Sequence, residues 1–122
     1  MIAAVLALAA AATSPAERKA VLDALRPTVE RKLGPNVEFI IQVIRVEDGW
    51  AFVMADPQRK GGKAIDGRQV FGEDFDNLDE LRVDAVLKLQ NGRWEVVDYG
   101  FGATDVWYCD VGPKALKRDY GC

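Results

Sequence analysis

The residue pair Asn91-Gly92 limits what this 122-residue chain can fold into more than any other feature. It joins two mainly apolar runs in the stretch RVDAVLKLQNGRWEVVDY, residues 82–99. Asn-Gly is the strongest short-range signal for a β-hairpin, because both central residues of a type I′ turn need positive φ. A two-residue loop places four apolar side chains on one face of this hairpin: Leu87, Leu89, Trp94 and Val96.

An earlier stretch, IRVEDGWAFVMAD at residues 44–56, has the same organisation around Asp48-Gly49. A two-residue loop and a three-residue loop with Gly49 in the left-handed region both fit, so the register of this hairpin is open. Residues 37–46 before the turn are rich in β-branched side chains and predict a strand. Two hairpins give a sheet of four antiparallel strands, and residues 104–108 are a candidate for a fifth.

Ahead of the strands, the sequence carries the signals of a long helix. Ser14 suits the N-cap, Pro15 the first helical position, and Glu17 can complete a capping box. Apolar residues then recur at helical spacing: Val21, Leu22, Leu25, Val29 and Leu33. Pro27 points away from that stripe, so we predict one bent helix rather than two. The fold class is therefore α+β, with this helix packed on the sheet.

Composition excludes several function classes. Apolar and charged fractions of 49% and 29% are typical of a globular protein, and a net charge of -3 argues against phosphate-mediated binding to nucleic acid. The chain has no histidine, which removes the commonest general base and the commonest zinc ligand. No cofactor and no metal site are therefore predicted.

Residues 1–12, MIAAVLALAAAA, form an uncharged apolar run. The run is shorter than the ~20 residues of a membrane-spanning helix, so no integral span is predicted. It fits the apolar core of a secretory signal peptide. An alternative is that it extends the helix that follows. We predict a signal segment over residues 1–13 and a single domain over residues 14–122.

The only two cysteines, Cys109 and Cys122, lie near the end of the chain. They cannot complete a tetrahedral zinc site without histidine. In an exported protein the expected arrangement is one disulfide that closes the C-terminal tail, whereas in a reducing cytoplasm both would be free thiols. Together with the signal segment, they predict a periplasmic or secreted protein.

The connection between the hairpins, residues 56–80, shows no convincing helix or strand pattern and contains four glycines. Its Gly61-Gly62-Lys63 lacks the spacing of a phosphate-binding loop, and its acidic run 74–80 does not match a calcium-binding loop. We expect it to be the most mobile internal segment.

Candidate site residues lie in the last third of the chain. Asp98 is a weak catalytic candidate: the predicted register places it opposite Ala85 on the helix-facing side, where a buried carboxylate can act on a carbon acid. It has no convergent partner, so a structural role is the competing interpretation. Asp105, Trp107 and Tyr108 are candidate binding residues. The competing interpretation is that Trp107 and Tyr108, with Tyr120, form a small core on the disulfide.

The sheet also carries apolar residues on the side away from the helix. Val86 is expected to oppose Val97 there, and three first-strand residues share one face: Ile40, Ile44 and Val46. Such a patch needs a cover, which is either the tail or a second copy of the protein. The aromatic residues of the tail favour the tail, with Trp107 largely buried.

The stretches VIRVEDGWAFVMA and VLKLQNGRWEVVDY, following a helix in this order, resemble those of small exported bacterial proteins of unknown function. At fold level the chain resembles the cystatin-like and nuclear transport factor 2-like α+β group. The resemblance implies a curved antiparallel sheet that cradles one helix, with any ligand between them. The chain lacks the QxVxG segment of a cystatin-type protease inhibitor.

These observations predict an exported, non-enzymatic binding or accessory domain for an unknown small molecule or protein. One alternative is a small isomerase or cyclase that uses Asp98 in a pocket between helix and sheet. Another is a homodimeric or partner-binding structural module.

Overall fold

A computed structural model describes residues 13–78 and 80–122 of the chain. Most of the predicted signal segment lies outside these residues. The elements follow in the order α1 (Pro15–Leu33), β1 (Val37–Glu47), β2 (Trp50–Arg59), α2 (Gly67–Phe71), β3 (Val83–Gln90) and β4 (Arg93–Phe101). The chain also contains three 3-10 turns: Gly72–Asn77 follows α2, and Trp107–Asp110 and Lys114–Lys117 follow β4.

Helix α1 begins as the sequence predicts. The backbone N–H of Glu17 donates to Ser14 Oγ at 3.1 Å, and the N–H of Ser14 donates to Glu17 Oε1 at 3.3 Å, which forms a capping box. Pro27 lies inside the helix with its side chain exposed. The opposite face is buried, and it consists of Val21, Leu25, Thr28, Val29 and Leu33.

The four strands form one antiparallel sheet in the order β1-β2-β3-β4. Asn91 and Gly92 have φ of 52° and 77°, and Leu89 pairs with Trp94, which confirms the predicted turn and register there. The first hairpin also has a two-residue turn, since Asp48 and Gly49 have φ of 52° and 78° and the flanking residues pair directly. That settles the register that the sequence leaves open.

Each edge strand contains one extra residue that interrupts its pairing. In β1, Ile41 pairs with Ala55 and Val43 with Met54, so Gln42 is unpaired. In β4, Val97 is unpaired in the same way. Because side chains alternate between the two faces of a strand, one extra residue moves every later side chain to the opposite face.

These bulges overturn three predictions made from strict alternation. Ile44 and Val46 face the helix, whereas Ile40 lies on the other face and is exposed, so the three do not form one patch. Val97 does not oppose Val86, whose partner is Asp98. Asp98 consequently lies on the face away from α1, and not opposite Ala85 as predicted.

The sheet is covered on both faces. On one side α1 and the connection bury a mainly aliphatic core, here called the helix-face core: Val21, Leu25, Val29, Leu33, Val37, Ala51, Val53, Ala55, Ile65, Val83, Ala85 and Leu87. On the other side the tail buries a second cluster, the tail-face core: Phe52, Val86, Tyr108 and Leu116. The expectation that the tail covers this face is confirmed.

A disulfide closes the tail as predicted. Cys109 and Cys122 are bonded, with their Cα atoms 5.4 Å apart. The tail contains 3-10 turns at Trp107–Asp110 and Lys114–Lys117 rather than a fifth strand. The molecule is thus an α+β fold with one long helix, a four-stranded sheet and a disulfide-closed tail.

The connection between the hairpins has more structure than its sequence indicates. Strand β2 continues through Arg59, and α2 begins at Gly67, where the Asp66 carboxylate accepts from the N–H groups of Arg68 and Gln69. Ile65 between them is buried in the helix-face core, at 8% exposed surface. The prediction that this segment lacks helix and strand is therefore wrong. The sequence does not reveal these elements, because a single buried isoleucine leaves no periodic pattern.

Candidate functional site

Tyr108 lies inside the tail-face core rather than on an open binding surface. Its ring centroid is 4.8 Å from that of Phe52, and its hydroxyl donates to the carbonyl oxygen of Tyr120 at 2.7 Å. Burial raises the pKa of the Tyr108 phenol, and the negative charge of Asp84 raises it further. The hydroxyl is thus a neutral internal donor that ties two parts of the tail together.

Trp107 is partly buried and packs against the tail-face core. Its ring packs edge-to-face on Tyr108, and its indole nitrogen lies over Gly100 of β4, so closely that a Cβ there would be 3.2 Å from Nε1. This buried N–H has no hydrogen-bond acceptor among the described residues. Asp105, the third candidate from the tail, is exposed and makes no contact with this cluster among those the structure shows.

Asp98 is exposed on the surface of β4. Its Oδ1 accepts a hydrogen bond from the N–H of Tyr99 at 2.9 Å, and it lines none of the grooves described below. An exposed position on β4 does not give Asp98 the apolar cavity that the predicted catalytic role requires. The structure does not bring Asp98 together with Asp105, Trp107 and Tyr108 as a catalytic group.

Asp84 is a fully buried acidic residue, and the sequence analysis did not identify it as a candidate. Its Oδ1 accepts from Arg82 Nε at 2.8 Å, and Arg82 also donates to the carbonyl oxygen of Ala103 at 3.0 Å. The pair therefore connects β3 to the start of the tail. The signal for it was a charged residue inside the apolar run VDAVL, where alternation places it on the tail face.

Lys117, the last residue of the 3-10 turn Lys114–Lys117, is a second buried charged residue, at 1% exposed surface. Its ammonium donates to the carbonyl oxygen of Val111. Burial lowers the pKa of Lys117, while the charge of Asp110 opposes that shift. The hydrogen bond closes the loop between the two 3-10 turns of the tail, so the role of Lys117 is structural.

Open grooves lie at the other end of the sheet, around the turn Arg59–Lys63. The first, here called the helix-end groove, has a volume of about 480 Å³ and is lined by Arg26, Glu30, Asn36, Val37, Glu38, Phe39 and Lys60. The second, here called the connection groove, has a volume of about 370 Å³ and is lined by Asp56, Pro57, Gln58, Gly62, Ala64, Ile65, Phe75, Glu80 and Leu81. One turn therefore contributes to both grooves.

The charged groups of the helix-end groove are mostly engaged in internal bonds. Arg26 donates to the carbonyl oxygen of Val37 at 3.1 Å, and Glu30 accepts from the N–H of Val37 at 3.0 Å. Glu38 accepts from the N–H of Gly61 at 2.9 Å. The ammonium of Lys60 makes no bond to a described residue and is the free charge of this groove.

The turn between the grooves is firmly held. Arg59 donates to the carbonyl oxygen of Leu33, the last residue of α1, at 2.5 Å and to that of Pro35 at 3.1 Å. Its backbone N–H bonds to the carbonyl of Lys63 at 2.8 Å and forms an isolated bridge. A cation at a helix C-terminus also interacts favourably with the helix dipole. Both grooves are thus largely preformed.

Among residues 13–78 and 80–122, no helix is long and apolar enough to cross a lipid bilayer. The same residues contain no group of three or more His, Cys, Asp or Glu side chains placed to hold a metal ion. Comparison of the chain with protein-family models, with curated proteins and with solved structures finds no match.

Proposed function

We propose that the protein is an exported, non-enzymatic binding domain that contacts its ligand at the Arg59–Lys63 end of the sheet. The disulfide supports a periplasmic or secreted location, because such bonds persist in oxidising compartments. The apolar segment at residues 1–12 supports the same location.

The observation that carries the binding proposal is the pair of grooves that flank one hydrogen-bonded turn, Arg59–Lys63. Ligand sites are usually concave and largely preformed, with a few free polar groups that orient the ligand. Lys60 on one side and Glu80 on the other are such groups, since neither side chain bonds to another described residue. A preformed surface also loses less conformational entropy when a ligand binds.

The other function classes have less support. An isomerase or cyclase needs a carboxylate in an apolar cavity, and Asp98 is exposed on β4. A homodimer formed by adding strands at β4 has to accommodate the bulge at Val97, a device that limits edge-to-edge pairing. The resemblance to the cystatin-like and nuclear transport factor 2-like group stays a prediction.

Site-specific photo-crosslinking in the cells that make the protein tests the proposal. A photoreactive residue replaces Lys60 in one variant and Arg93, at the opposite end of the sheet, in the control. We expect a defined adduct at position 60, detected by mass spectrometry of the envelope or secreted fraction, and none at position 93. No adduct at 60, or identical adducts at both positions, would contradict the proposal, as would recovery of the protein in the cytoplasm with two free thiols.

A further inference from the structure

The tail divides into a buried part and an exposed part. The buried part contributes two side chains to the tail-face core, Tyr108 at 4% exposed surface and Leu116 at 3%. Residues 118–122, here called the strap, follow it; four of these five residues are exposed, and Tyr120 is partly buried. The buried part is therefore anchored by its own side chains, whereas the strap depends on its bonds to other segments.

The non-covalent contacts that hold the strap are modest. Asp119 forms an ion pair with Arg45 at 2.8 Å, but the two side chains are 65% and 37% exposed, and pairs so exposed contribute little to stability. The carbonyl oxygen of Tyr120 accepts from the Tyr108 hydroxyl, and the Tyr120 ring lies 5.8 Å from that of Phe52. One exposed ion pair, one hydrogen bond and one aromatic contact thus hold the strap alongside the disulfide.

The disulfide is accessible from one side. Cys122 is exposed, while Cys109 is partly buried and packs against the tail-face core. A thiolate must reach one sulfur of a disulfide to open it, and exposed disulfides are the ones that act as labile or regulatory bonds. A reductant can therefore attack at Cys122 while the tail-face core stays packed.

We propose that the Cys109–Cys122 bond is a redox-operated latch, which a dithiol reductant opens in the folded protein to release the strap from the tail-face core. One thiolate of the reductant attacks Cys122 Sγ to form a mixed disulfide, and Cys109 leaves as a thiolate. The second thiolate of the reductant then displaces Cys122, and the reductant becomes a disulfide. Two electrons and two protons pass from the dithiol to the two cysteines of the protein.

Release of the strap changes one surface of the molecule. The Tyr108 hydroxyl loses its acceptor on Tyr120, and the edge of Phe52 that Tyr120 covers becomes accessible. Phe52 lies near the Asp48-Gly49 turn, at the opposite end of the first hairpin from the turn Arg59–Lys63. The latch therefore goes beyond the proposed function and does not depend on a ligand at that turn.

Reduction of the oxidised protein by dithiothreitol, followed by alkylation and mass spectrometry, provides the test. If the latch opens in the folded state, the rate of reduction should follow the dithiothreitol concentration and should not depend on global stability. Leu25→Ala is the matched variant, because it destabilises the helix-face core on the other side of the sheet. Its reduction rate should stay within about twofold of the parent rate, whereas reduction through global unfolding would be about a hundredfold faster or more.

Amide NMR of the reduced protein is the second measurement. Signals of the strap, Phe52 and Tyr108 should shift, and those of α1 should keep their positions. Oxidised glutathione should restore the original spectrum, and Cys109→Ser with Cys122→Ser should reproduce the reduced one away from the substituted positions. Reduction of Leu25→Ala that accelerates with its loss of stability, loss of the α1 signals on reduction, an unchanged strap, or failure to reoxidise would overturn the inference.

Discussion

The two faces of the sheet are covered by different means. The helix-face core is aliphatic and is covered by one amphipathic helix with a capped start. The tail-face core is smaller and contains the rings of Phe52 and Tyr108. It also lies beside two buried charged residues, Asp84 and Lys117, and the tail is closed by a disulfide.

The difference shows how a short segment without regular structure can cover a sheet. A long helix removes its backbone polar groups from water through its own hydrogen bonds, so an apolar stripe is enough to hold it. The tail has only two short 3-10 turns and needs other anchors. These are the Arg82 bond to Ala103, the Tyr108 bond to Tyr120, the Lys117 bond to Val111 and the disulfide.

The largest expected effect compares a large side chain from each core. Leu25→Ala and Phe52→Ala each remove a fully buried side chain, so each should lower the free energy of unfolding by about 3–5 kcal/mol. Chemical denaturation of the oxidised protein measures both. If Phe52→Ala costs under about 1 kcal/mol, the tail-face core is loosely packed, and the two faces differ more than the structure indicates.

Removal of the disulfide should affect one face selectively. Cys109→Ser with Cys122→Ser releases a constraint between residues 13 apart in sequence and should cost on the order of 3 kcal/mol. Hydrogen exchange should accelerate more at the tail-face residues than at the amides of α1. Uniform acceleration across both faces would mean that they unfold as one cooperative unit.

Truncation of Trp107 should cost less than truncation of Phe52. Trp107 is only half-buried, so we expect Trp107→Ala to lower the free energy of unfolding by roughly 1–3 kcal/mol. The oligomeric state measured by analytical ultracentrifugation should be the same in the parent protein and in Trp107→Ala. A change of under about 0.5 kcal/mol with an altered oligomeric state would make Trp107 an interface residue instead.

The smallest effect concerns the pH dependence that Lys117 adds to the tail face. Burial places the folded-state pKa of Lys117 below its ordinary value of 10.5, so the unfolded chain binds more protons between those two values. The contribution of Lys117 to stability should therefore rise with pH across that interval. Lys117→Met lacks this contribution, so the stability of the parent protein minus that of Lys117→Met should rise with pH across the interval.

Tyr108 acts in the opposite sense above its ordinary pKa of 10.0, because its folded-state pKa is raised and the folded form then holds the proton. Both proteins share this term, so subtraction of the two curves removes it. Identical pH slopes for the parent protein and Lys117→Met would show that Lys117 keeps an ordinary pKa in the folded state.

Local sequence signals were sufficient for α1 and the two hairpins, but not for α2 or the 3-10 turns of the tail. Ser14, Pro15 and Glu17 mark the start of α1, Asn91-Gly92 fixes a hairpin register, and the two cysteines pair because no others exist. These features depend on residues that are neighbours in the chain or on a count of residue types. The coverage of both sheet faces also followed, since the strands carry apolar residues on both sides.

Which residues share a face was decided only by the tertiary structure. Strict alternation puts Asp98 toward the helix, and one unpaired residue at Val97 turns it away. Gln42 does the same to Ile44 and Val46 in β1. Nothing in the sequence around either position marks a bulge, because its location depends on which residues the neighbouring strand and the covering layer present to it.

The grooves depend on tertiary structure for a related reason. Ile65, Phe75 and Glu80 lie in a segment without periodicity. They come together beside β2 because Arg59 and buried Ile65 fix that segment against the sheet and helix. Periodic patterns report the faces of regular elements, where each side chain's direction follows from its number in the chain. In an irregular segment that direction is set by contacts with distant residues, so only the folded molecule shows it.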